Sequence, residues 1–169
     1  DAIVAYVQLG AGKINDIESD IYITLKELGK HENVFTVVGE SMLGDPISFE
    51  GPRIRYLRDY PNSVNFHAFD FAITACGYNS YHEVIHFGLP SISYPNLKTG
   101  MDDQLARARV AEEAGAMLVL TDINKKSVAN AVEKILDTST RERMKTASEK
   151  LVRDNGADQV AQYLAKVLK

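Results

Sequence analysis

The residues best suited to chemistry lie in the segment Gly77–Ser80, where a glycine is followed by an aromatic, an amide and a hydroxyl side chain. If a helix begins here, the amides of its first turn have no intrahelical partners and its dipole favours an anion. Glu83 lies one turn beyond Asn79, so both side chains can face one ligand. A carboxylate repels phosphate but accepts hydrogen bonds from ribose hydroxyls. The segment is therefore a candidate nucleotide site, and the simpler interpretation is a capped helix with a solvated Glu83.

Two further segments offer groups of a similar kind. Gly10–Ala11–Gly12 is small enough for its backbone amides to approach a phosphate, although the same residues suit a plain tight turn. Asp103 and Gln104 can take hydrogen bonds from neighbouring sugar hydroxyls, but an acidic residue at a helix start is also a common cap. Each segment is therefore a candidate only in combination with the others.

These candidate residues follow short apolar stretches that predict strands. The six predicted strands are Ile3–Leu9, Val34–Val38, Ile54–Leu57, Phe71–Thr74, Ser91–Tyr94 and Met117–Leu120. Several are apolar without alternation, which is typical of strands buried on both faces of a parallel sheet. Ligands of such sheets bind beyond the carboxyl ends of the strands, which is where the candidate residues lie.

Helical patterns lie between most of the strands and after the last one. The first three predicted helices run from a capping box at Asn15 to Leu28, from Tyr78 to Phe87, and from a cap at Asp102 to Gly115. Three later apolar stripes predict helices that close the domain: Val128 with Val132, Ile135 and Leu136; Met144 with Ala147 and Leu151; Val160 with Leu164 and Val167. The sequence thus predicts one α/β domain over residues 1–169, a Rossmann-like doubly wound parallel sheet of about six strands with C-terminal helices.

Composition excludes several classes of protein. The net charge is −4 over 169 residues, and no basic stripe is present that could neutralise the phosphates of a nucleic acid. No apolar run reaches the roughly 20 residues of a transmembrane helix. The single cysteine, Cys76, excludes an intramolecular disulfide and is typical of a reducing compartment. We therefore expect a cytoplasmic protein, at most peripheral at the inner face of a membrane, in which Cys76 is packed.

The segment from Phe71 to Gln104 resembles the donor-binding signature of GT-B glycosyltransferases. Plant and bacterial UDP-sugar transferases carry H-C-G-W-N-S, a glutamate three residues later, then G-x-P and D-Q. The corresponding residues here are Ala75-Cys76-Gly77-Tyr78-Asn79-Ser80, Glu83, Gly88-Leu89-Pro90 and Asp103-Gln104. The arrangement also resembles the C-terminal domain of glycosyltransferase family 28, which includes MurG-type N-acetylglucosaminyltransferases and the soluble subunit of the dolichol-linked GlcNAc transferase.

The resemblance implies a role for each candidate residue. It assigns the donor diphosphate to Gly77, Tyr78, Asn79 and Ser80, with Gly10 and Gly12 facing the cleft. It assigns the ribose to Glu83, the base to the neighbourhood of Leu57 and Arg58, and the donor sugar to Asp103 and Gln104. The implied substrate is a nucleotide-diphospho-sugar, a UDP-sugar in the first instance, carrying a hexosyl or N-acetylhexosaminyl group.

Three positions depart from the family pattern. Ala75 replaces a His or Arg that contacts phosphate, so Arg58, Lys13 or a residue of another domain must balance that charge. Tyr78 replaces Trp, which keeps an aromatic ring with a different stacking surface. Arg107 replaces an Asn often found three residues past the glutamine.

The implied mechanism needs neither a metal nor another cofactor, and the sequence has no Asp-x-Asp metal motif. The four histidines lack metal-ligand spacing and are expected to pack or to lie on the surface. The general base is expected outside this chain, in an acceptor-binding N-terminal domain or a partner subunit that could bring a membrane-associated acceptor, so the chain alone is expected to be inactive. The alternatives are a sugar-nucleotide epimerase of the same fold and a non-catalytic nucleotide-sugar-binding or partner-docking module.

Overall fold

The predicted α/β fold class is confirmed. The computed structural model describes residues 1–10, 17–40, 49–98, 102–152 and 156–168. Its sheet has six strands in the order β3-β2-β1-β4-β5-β6, and neighbouring strands are parallel throughout. The strands are β1 Ile3–Gln8, β2 Val34–Gly39, β3 Ile54–Leu57, β4 Phe71–Ala75, β5 Ser91–Tyr94 and β6 Met117–Val119. Each predicted strand is present, with ends that differ by at most one residue.

The helices follow the predicted pattern with one change of cap and one addition. They are α1 Ile17–Leu28, α2 Tyr78–His86, α3 Gln104–Glu113, α4 Lys125–Leu136, α5 Thr138–Leu151 and α6 Ala157–Val167. The prediction that Asp102 caps α3 is wrong, because it is the carboxylate of Asp103 that accepts from the backbone N–H of Ala106, at 2.9 Å. A 3₁₀ helix at Asn62–Ala68, which the sequence patterns did not predict, lies between β3 and β4. The predicted cap Asn15 lies outside the described residues.

Two hydrophobic cores cover the two faces of the sheet, which explains why the strands are apolar without alternation. Ala5 and Val7 of β1 face α1 and α4, whereas Tyr6 between them faces α2 and α3. The first core includes Ile21, Leu25 and Leu28 of α1 with Val128, Val132 and Ile135 of α4. The second includes Tyr81, Val84 and Ile85 of α2 with Ala108 and Ala111 of α3. Both faces of β1 are therefore withdrawn from water.

The last helix does not close the domain as predicted. The stripe of Val160, Leu164 and Val167 has the helical period that predicts α6, but these side chains are exposed and α6 has no buried residue. By contrast, Met144 of α5 is buried and Ala147 packs against the second core. Hydrophobic periodicity identified the helix, but periodicity does not determine whether a partner surface lies within the same fold. Within the described residues, no helix is both long and apolar enough to cross a membrane.

Parallel pairing brings the carboxyl ends of all six strands to one edge of the sheet. The carboxyl ends of β1, β4 and β5 are neighbours there, because β1 pairs with β4 and β4 with β5. Gly10 after β1 has a φ of +96°, a left-handed conformation that favours glycine. The fold thus brings Gly10, Gly77–Ser80 and Asp103–Gln104 to neighbouring strand ends.

Candidate functional site

The start of α2 leaves backbone amides without a side-chain cap. Gly77 occupies the N-cap position with an extended backbone, and its carbonyl accepts the helix's first intrahelical bond, from the Tyr81 N–H at 2.9 Å. Among the residues that the structure describes, no side-chain hydrogen bond caps this helix, and its first turn has no acidic residue. Tyr78 and Asn79 are exposed and Ser80 is half-buried, so a ligand can approach them. Free amides, a positive helix end and an accessible hydroxyl together suit an anion.

The start of α3 on the neighbouring strand has a different chemistry. Asp103 is exposed and caps the helix through one carboxylate oxygen, which leaves the other oxygen able to accept further hydrogen bonds. Gln104 accepts from the backbone N–H of Asn96 at 3.0 Å through its side-chain oxygen. Its amide NH₂ faces the carboxylate of Asp102 and helps to lower the pKa of that group, which leaves the second N–H as a donor for another partner. This pair suits neutral hydroxyl groups better than an anion, because the carboxylate adds negative charge.

Arg107 joins these two helix starts. Its Nη1 donates to the carbonyl of Cys76 at 2.7 Å, and its guanidinium forms an ion pair with Asp102. The guanidinium carbon also lies 5.5 Å from the centroid of the Tyr78 ring, within the range of a cation–π contact. Hydrogen bonding from Arg107 lowers the pKa of Asp102, so the pair is charged at neutral pH. The sequence marked Arg107 only as a departure from a family pattern and did not indicate this bridge.

Glu83 is half-buried and hydrogen-bonded, unlike the solvated side chain of the simpler interpretation. Its Oε1 accepts from the hydroxyl of Ser63 at 3.0 Å. Ser63 belongs to the 3₁₀ helix between β3 and β4, so the candidate ribose residue lies where that helix meets α2. Sequence reasoning missed Ser63, because the pair is separated by 20 positions in the chain and no local pattern connects them.

The remaining predicted site residues lie at other positions along the same edge. Gly10 is exposed at the end of β1, whose Gln8 is paired with Thr74 of β4. Leu57 ends the edge strand β3, and its carbonyl accepts from the backbone N–H of Glu40 at 2.9 Å. The next residue, Arg58, is exposed. Strands β2 and β1 lie between β3 and β4 in the sheet, but Leu57 packs against the second core, which includes Tyr81 of α2. Gly12 and Lys13 lie outside the described residues.

Cys76 and the histidines have packing and surface positions, as predicted. Cys76 is buried, and desolvation raises the pKa of its thiol. His82 is exposed, with its ring centroid 4.4 Å from that of Tyr78. In the part of the chain that the structure describes, no group of three or more His, Cys, Asp or Glu residues could hold a metal ion.

A family model decides the classification. The model described as "Glycosyltransferase family 28 C-terminal domain" matches residues 11–162. The chain belongs to this family. Apart from Gly10, the match includes every residue that the sequence predicts for the donor site. No curated protein sequence matches the chain significantly. The resemblance drawn from Phe71–Gln104 is therefore confirmed at the level of the family.

Solved structures of GT-B glycosyltransferases share the fold. MurG from Acinetobacter baumannii matches with a TM-score of 0.77 at 12% identity, over 98% of this chain and 50% of its own. The spinosyn rhamnosyltransferase SpnG complexed with thymidine diphosphate matches with a TM-score of 0.72 at 18% identity, over 99% of this chain and 45% of its own. A putative UDP-N-acetylglucosamine 2-epimerase from Listeria monocytogenes matches with a TM-score of 0.66 at 13% identity, over 89% of this chain and 43% of its own.

These comparisons establish a fold and a family. The chain spans half or less of the length of each of those three structures. At such low identity, the structural likeness alone does not separate a transferase from an epimerase, whereas the family model that matches is that of a glycosyltransferase domain.

Proposed function

We propose that this domain binds the nucleotide-sugar donor of a glycosyltransferase that moves a hexosyl or N-acetylhexosaminyl group to an acceptor hydroxyl. The observation that carries the proposal is the uncapped start of α2, with Glu83 one turn further on, in a chain of glycosyltransferase family 28. Beside it, the start of α3 offers acceptors and an amide donor in place of free backbone amides. The two helix starts match the two unlike parts of a nucleotide sugar, an anionic diphosphate and a neutral sugar.

We assign the diphosphate to Gly77, Tyr78, Asn79 and Ser80, and the family resemblance adds Gly10 and Gly12 to this assignment. The first-turn amides of α2 and the hydroxyl of Ser80 would donate to phosphate oxygens, and the helix dipole would favour their charge. As the sugar leaves, negative charge grows on the diphosphate, and donors that are already oriented stabilise that charge without reorganising. Departure of the diphosphate is thus the step to which this domain would contribute most.

The nucleoside is assigned to Glu83 and to the end of β3. Glu83 would accept hydrogen bonds from the ribose, and the backbone near Leu57 and Arg58 would contact the base. Uracil is the proposed base; thymine is the main competitor, since SpnG was solved with thymidine diphosphate. Because the Leu57 carbonyl already accepts from Glu40, we propose that the base contact there uses the backbone beyond that carbonyl.

The donor sugar is assigned to Asp103 and Gln104. Their free carboxylate oxygen and amide donor can pair with adjacent hydroxyls of one sugar ring. The domain would then distinguish donor sugars by their hydroxyl groups, because a site built to hydrogen-bond a hydroxyl rejects a sugar that lacks it.

The acceptor and the general base are proposed to come from outside this chain, from an N-terminal domain or a separate subunit. A base must reach the acceptor hydroxyl directly or through one water, and the groups identified here are committed to the donor. The reaction is proposed to proceed without a metal or other cofactor. Arg107 lies close to the α2 start, but its pairing with Asp102 offsets its charge, so Arg58, Lys13 or the acceptor half would balance the diphosphate in place of Ala75.

A non-catalytic binding module is the second candidate, because Ala75 removes a phosphate-contacting side chain that the family pattern carries. An epimerase is the third, because the fold is shared with a putative 2-epimerase. The three differ in what happens to a bound nucleotide sugar: transfer to an acceptor, no reaction, or inversion at one sugar carbon.

The proposal is tested first by binding. Thermal unfolding of the chain is measured with UDP, thymidine diphosphate, GDP and their sugar conjugates, because a ligand that binds the native state raises apparent stability by mass action. Stabilisation by one nucleotide diphosphate and its sugar conjugates supports donor binding. An unchanged midpoint with every nucleotide at millimolar concentration contradicts it.

Activity is tested next by release of the nucleotide diphosphate. We expect no turnover by the chain alone and turnover once an acceptor-binding half is supplied with acceptors. Robust transfer by the chain alone would contradict the two-part mechanism and direct the search for a base to His82 and Asp103. Binding without turnover in the complete assembly would favour the binding module.

A further inference from the structure

We propose that Ser63 is a positioning residue that fixes the carboxylate of Glu83 for a ribose diol, so that the domain distinguishes ribonucleotides from 2′-deoxyribonucleotides. The inference rests on the proposed function, in which Glu83 contacts the ribose. It adds Ser63, which lies outside the family signature, and a preference for ribonucleotides over 2′-deoxyribonucleotides, which the signature does not state.

The contact between the two side chains is well placed for this role. The Ser63 hydroxyl donates to Oε1 of Glu83 at 3.0 Å, and Ser63 is only 8% exposed. A carboxylate can accept about four hydrogen bonds, so one donated bond leaves room for both hydroxyls of a ribose. The bond therefore orients Glu83 without consuming its capacity to bind.

The residue next to Ser63 anchors the 3₁₀ helix to the sheet. Asn62 is buried, and its Nδ2 donates to the hydroxyl of Tyr6 at 3.1 Å, while its Oδ1 accepts from the backbone N–H of Asp59 at 3.2 Å. The Tyr6 hydroxyl in turn donates to Oε1 of Gln8 at 2.8 Å. A hydrogen-bonded chain thus runs from β1 to the start of the helix that carries Ser63.

Packing holds Tyr6, at the β1 end of this series of hydrogen bonds, in place. Tyr6 is fully buried, and its ring lies 5.2 Å from that of Phe66 and 5.0 Å from that of Phe69. Its hydroxyl occupies the space above Gly39, where a Cβ would lie 2.2 Å from that oxygen. Burial raises the pKa of Tyr6 to about 12, so the hydroxyl keeps its proton and remains a donor at neutral pH. The position of Ser63 is therefore set by the core.

A fixed carboxylate matters because a glutamate side chain has several rotatable bonds. Holding it before the ligand arrives removes an ordering cost that binding would otherwise meet. A carboxylate held to receive two vicinal hydroxyls also loses a partner when one is absent, which is how a polar site rejects a deoxy analogue. Without Ser63, Glu83 could turn to follow a single hydroxyl, and the discrimination would weaken.

The test compares matched pairs of nucleotides by calorimetry: UDP with 2′-deoxy-UDP, and ribothymidine diphosphate with thymidine diphosphate. The variants are Ser63→Ala, which removes the donor, and Ser63→Thr, which keeps a hydroxyl. Ser19→Ala is the matched control, since Ser19 is exposed on α1 across the sheet. Thermal midpoints of all variants report separately on folding.

We expect the unmodified chain to bind the ribonucleotide about tenfold more tightly than its deoxy partner, the scale of one hydrogen bond to a charged group. Ser63→Ala is expected to reduce this ratio to about two, with Ser63→Thr and Ser19→Ala close to the unmodified value. An unchanged ratio in Ser63→Ala overturns the inference, as does equal binding of both sugars by the unmodified chain. Both results leave donor binding intact, whereas a chain that binds no nucleotide overturns the proposed function as well.

Discussion

Helices α2 and α3 begin at neighbouring strand ends, yet their first turns have opposite chemistry. α2 starts at Gly77, and no side chain in the described part of the chain caps its first-turn amides. α3 starts at Asp103, whose carboxylate accepts from the Ala106 N–H. Both helices carry the same dipole, but only α2 leaves it uncompensated.

The difference shows that a helix start alone does not determine which ligand it suits. The capping residue decides whether the amides are available and what charge lies in front of them. A glycine cap suits an anion, whereas an acidic cap suits neutral hydroxyls. Arg107 holds the two starts together through the Cys76 carbonyl and Asp102, so they can serve adjacent parts of one molecule.

The largest expected effect comes from giving α2 the cap of α3. A Cβ at Gly77 would meet no atom within 4 Å and the backbone has an ordinary negative φ, so Gly77→Asp should fold. The new carboxylate would cap the amides and repel phosphate, at a cost of several kcal/mol. We expect nucleotide diphosphate affinity to fall more than about 100-fold with an unchanged or higher thermal midpoint.

Gly77→Asn is the control for that change, because it offers a similar cap without the charge. A smaller loss of affinity is expected for Gly77→Asn than for Gly77→Asp by calorimetry. If Gly77→Asp binds the nucleotide diphosphate as tightly as the unmodified chain does, the start of α2 is not the diphosphate site. The contrast drawn between the starts of α2 and α3 would then be wrong.

The second effect concerns Glu83, which lies one helical turn beyond Asn79 in α2. Glu83→Ala is expected to weaken nucleotide binding by about 1–3 kcal/mol, the cost of losing a charged hydrogen-bond partner. Stability should change less, because the change leaves only the hydroxyl of Ser63 without its acceptor. Calorimetry with the preferred nucleotide measures the loss, and Glu83→Gln separates charge from shape. An affinity equal to that of the unmodified chain would reduce Glu83 to a structural partner of Ser63.

The third effect tests the acidic cap of α3. Asp103→Ala should lower the free energy of unfolding by about 1 kcal/mol, the typical value of an N-cap. It should also reduce the affinity for a nucleotide sugar while leaving that for the nucleotide diphosphate nearly unchanged. Asp137→Ala is the matched control, because Asp137 caps α5 through the Thr140 N–H and is not among the site residues. If both variants bind the sugar conjugate equally well, Asp103 is a cap and nothing more.

The smallest effect is a pH dependence of the acidic caps. Hydrogen bonds from Ser139 and Thr140 lower the pKa of Asp137 from 3.8 to about 2. A lowered carboxylate pKa stabilises the fold above the unfolded value and loses that contribution as pH falls through the folded one. We expect the thermal midpoint to fall between about pH 4 and pH 2, and to fall less in Asp137→Asn. If the thermal midpoint of Asp137→Asn depends on pH as that of the unmodified chain does, the Asp137 cap does not contribute to acid unfolding.

The sequence by itself determined the strands, most of the helices and the position of the α2 start. Each depends on local information: apolar runs predict buried strands, and Gly77 before a helical pattern predicts a helix start with free amides. The family signature within Phe71–Gln104 also consists of short spacings along the chain, so it depends on no contact between distant residues.

Only the tertiary structure decided which side chains meet and which surfaces are covered. The Arg107–Cys76 bond spans 31 positions and the Ser63–Glu83 bond spans 20, and both depend on parallel strands having ended at the same edge of the sheet. The choice of Asp103 over Asp102 as the cap follows from the pairing of Asp102 with Arg107. The amphipathic stripe of α6 looks like that of α4 in the sequence, but only α4 has a partner surface within the described fold. Burial is a property of the whole packed chain, which no local periodicity contains.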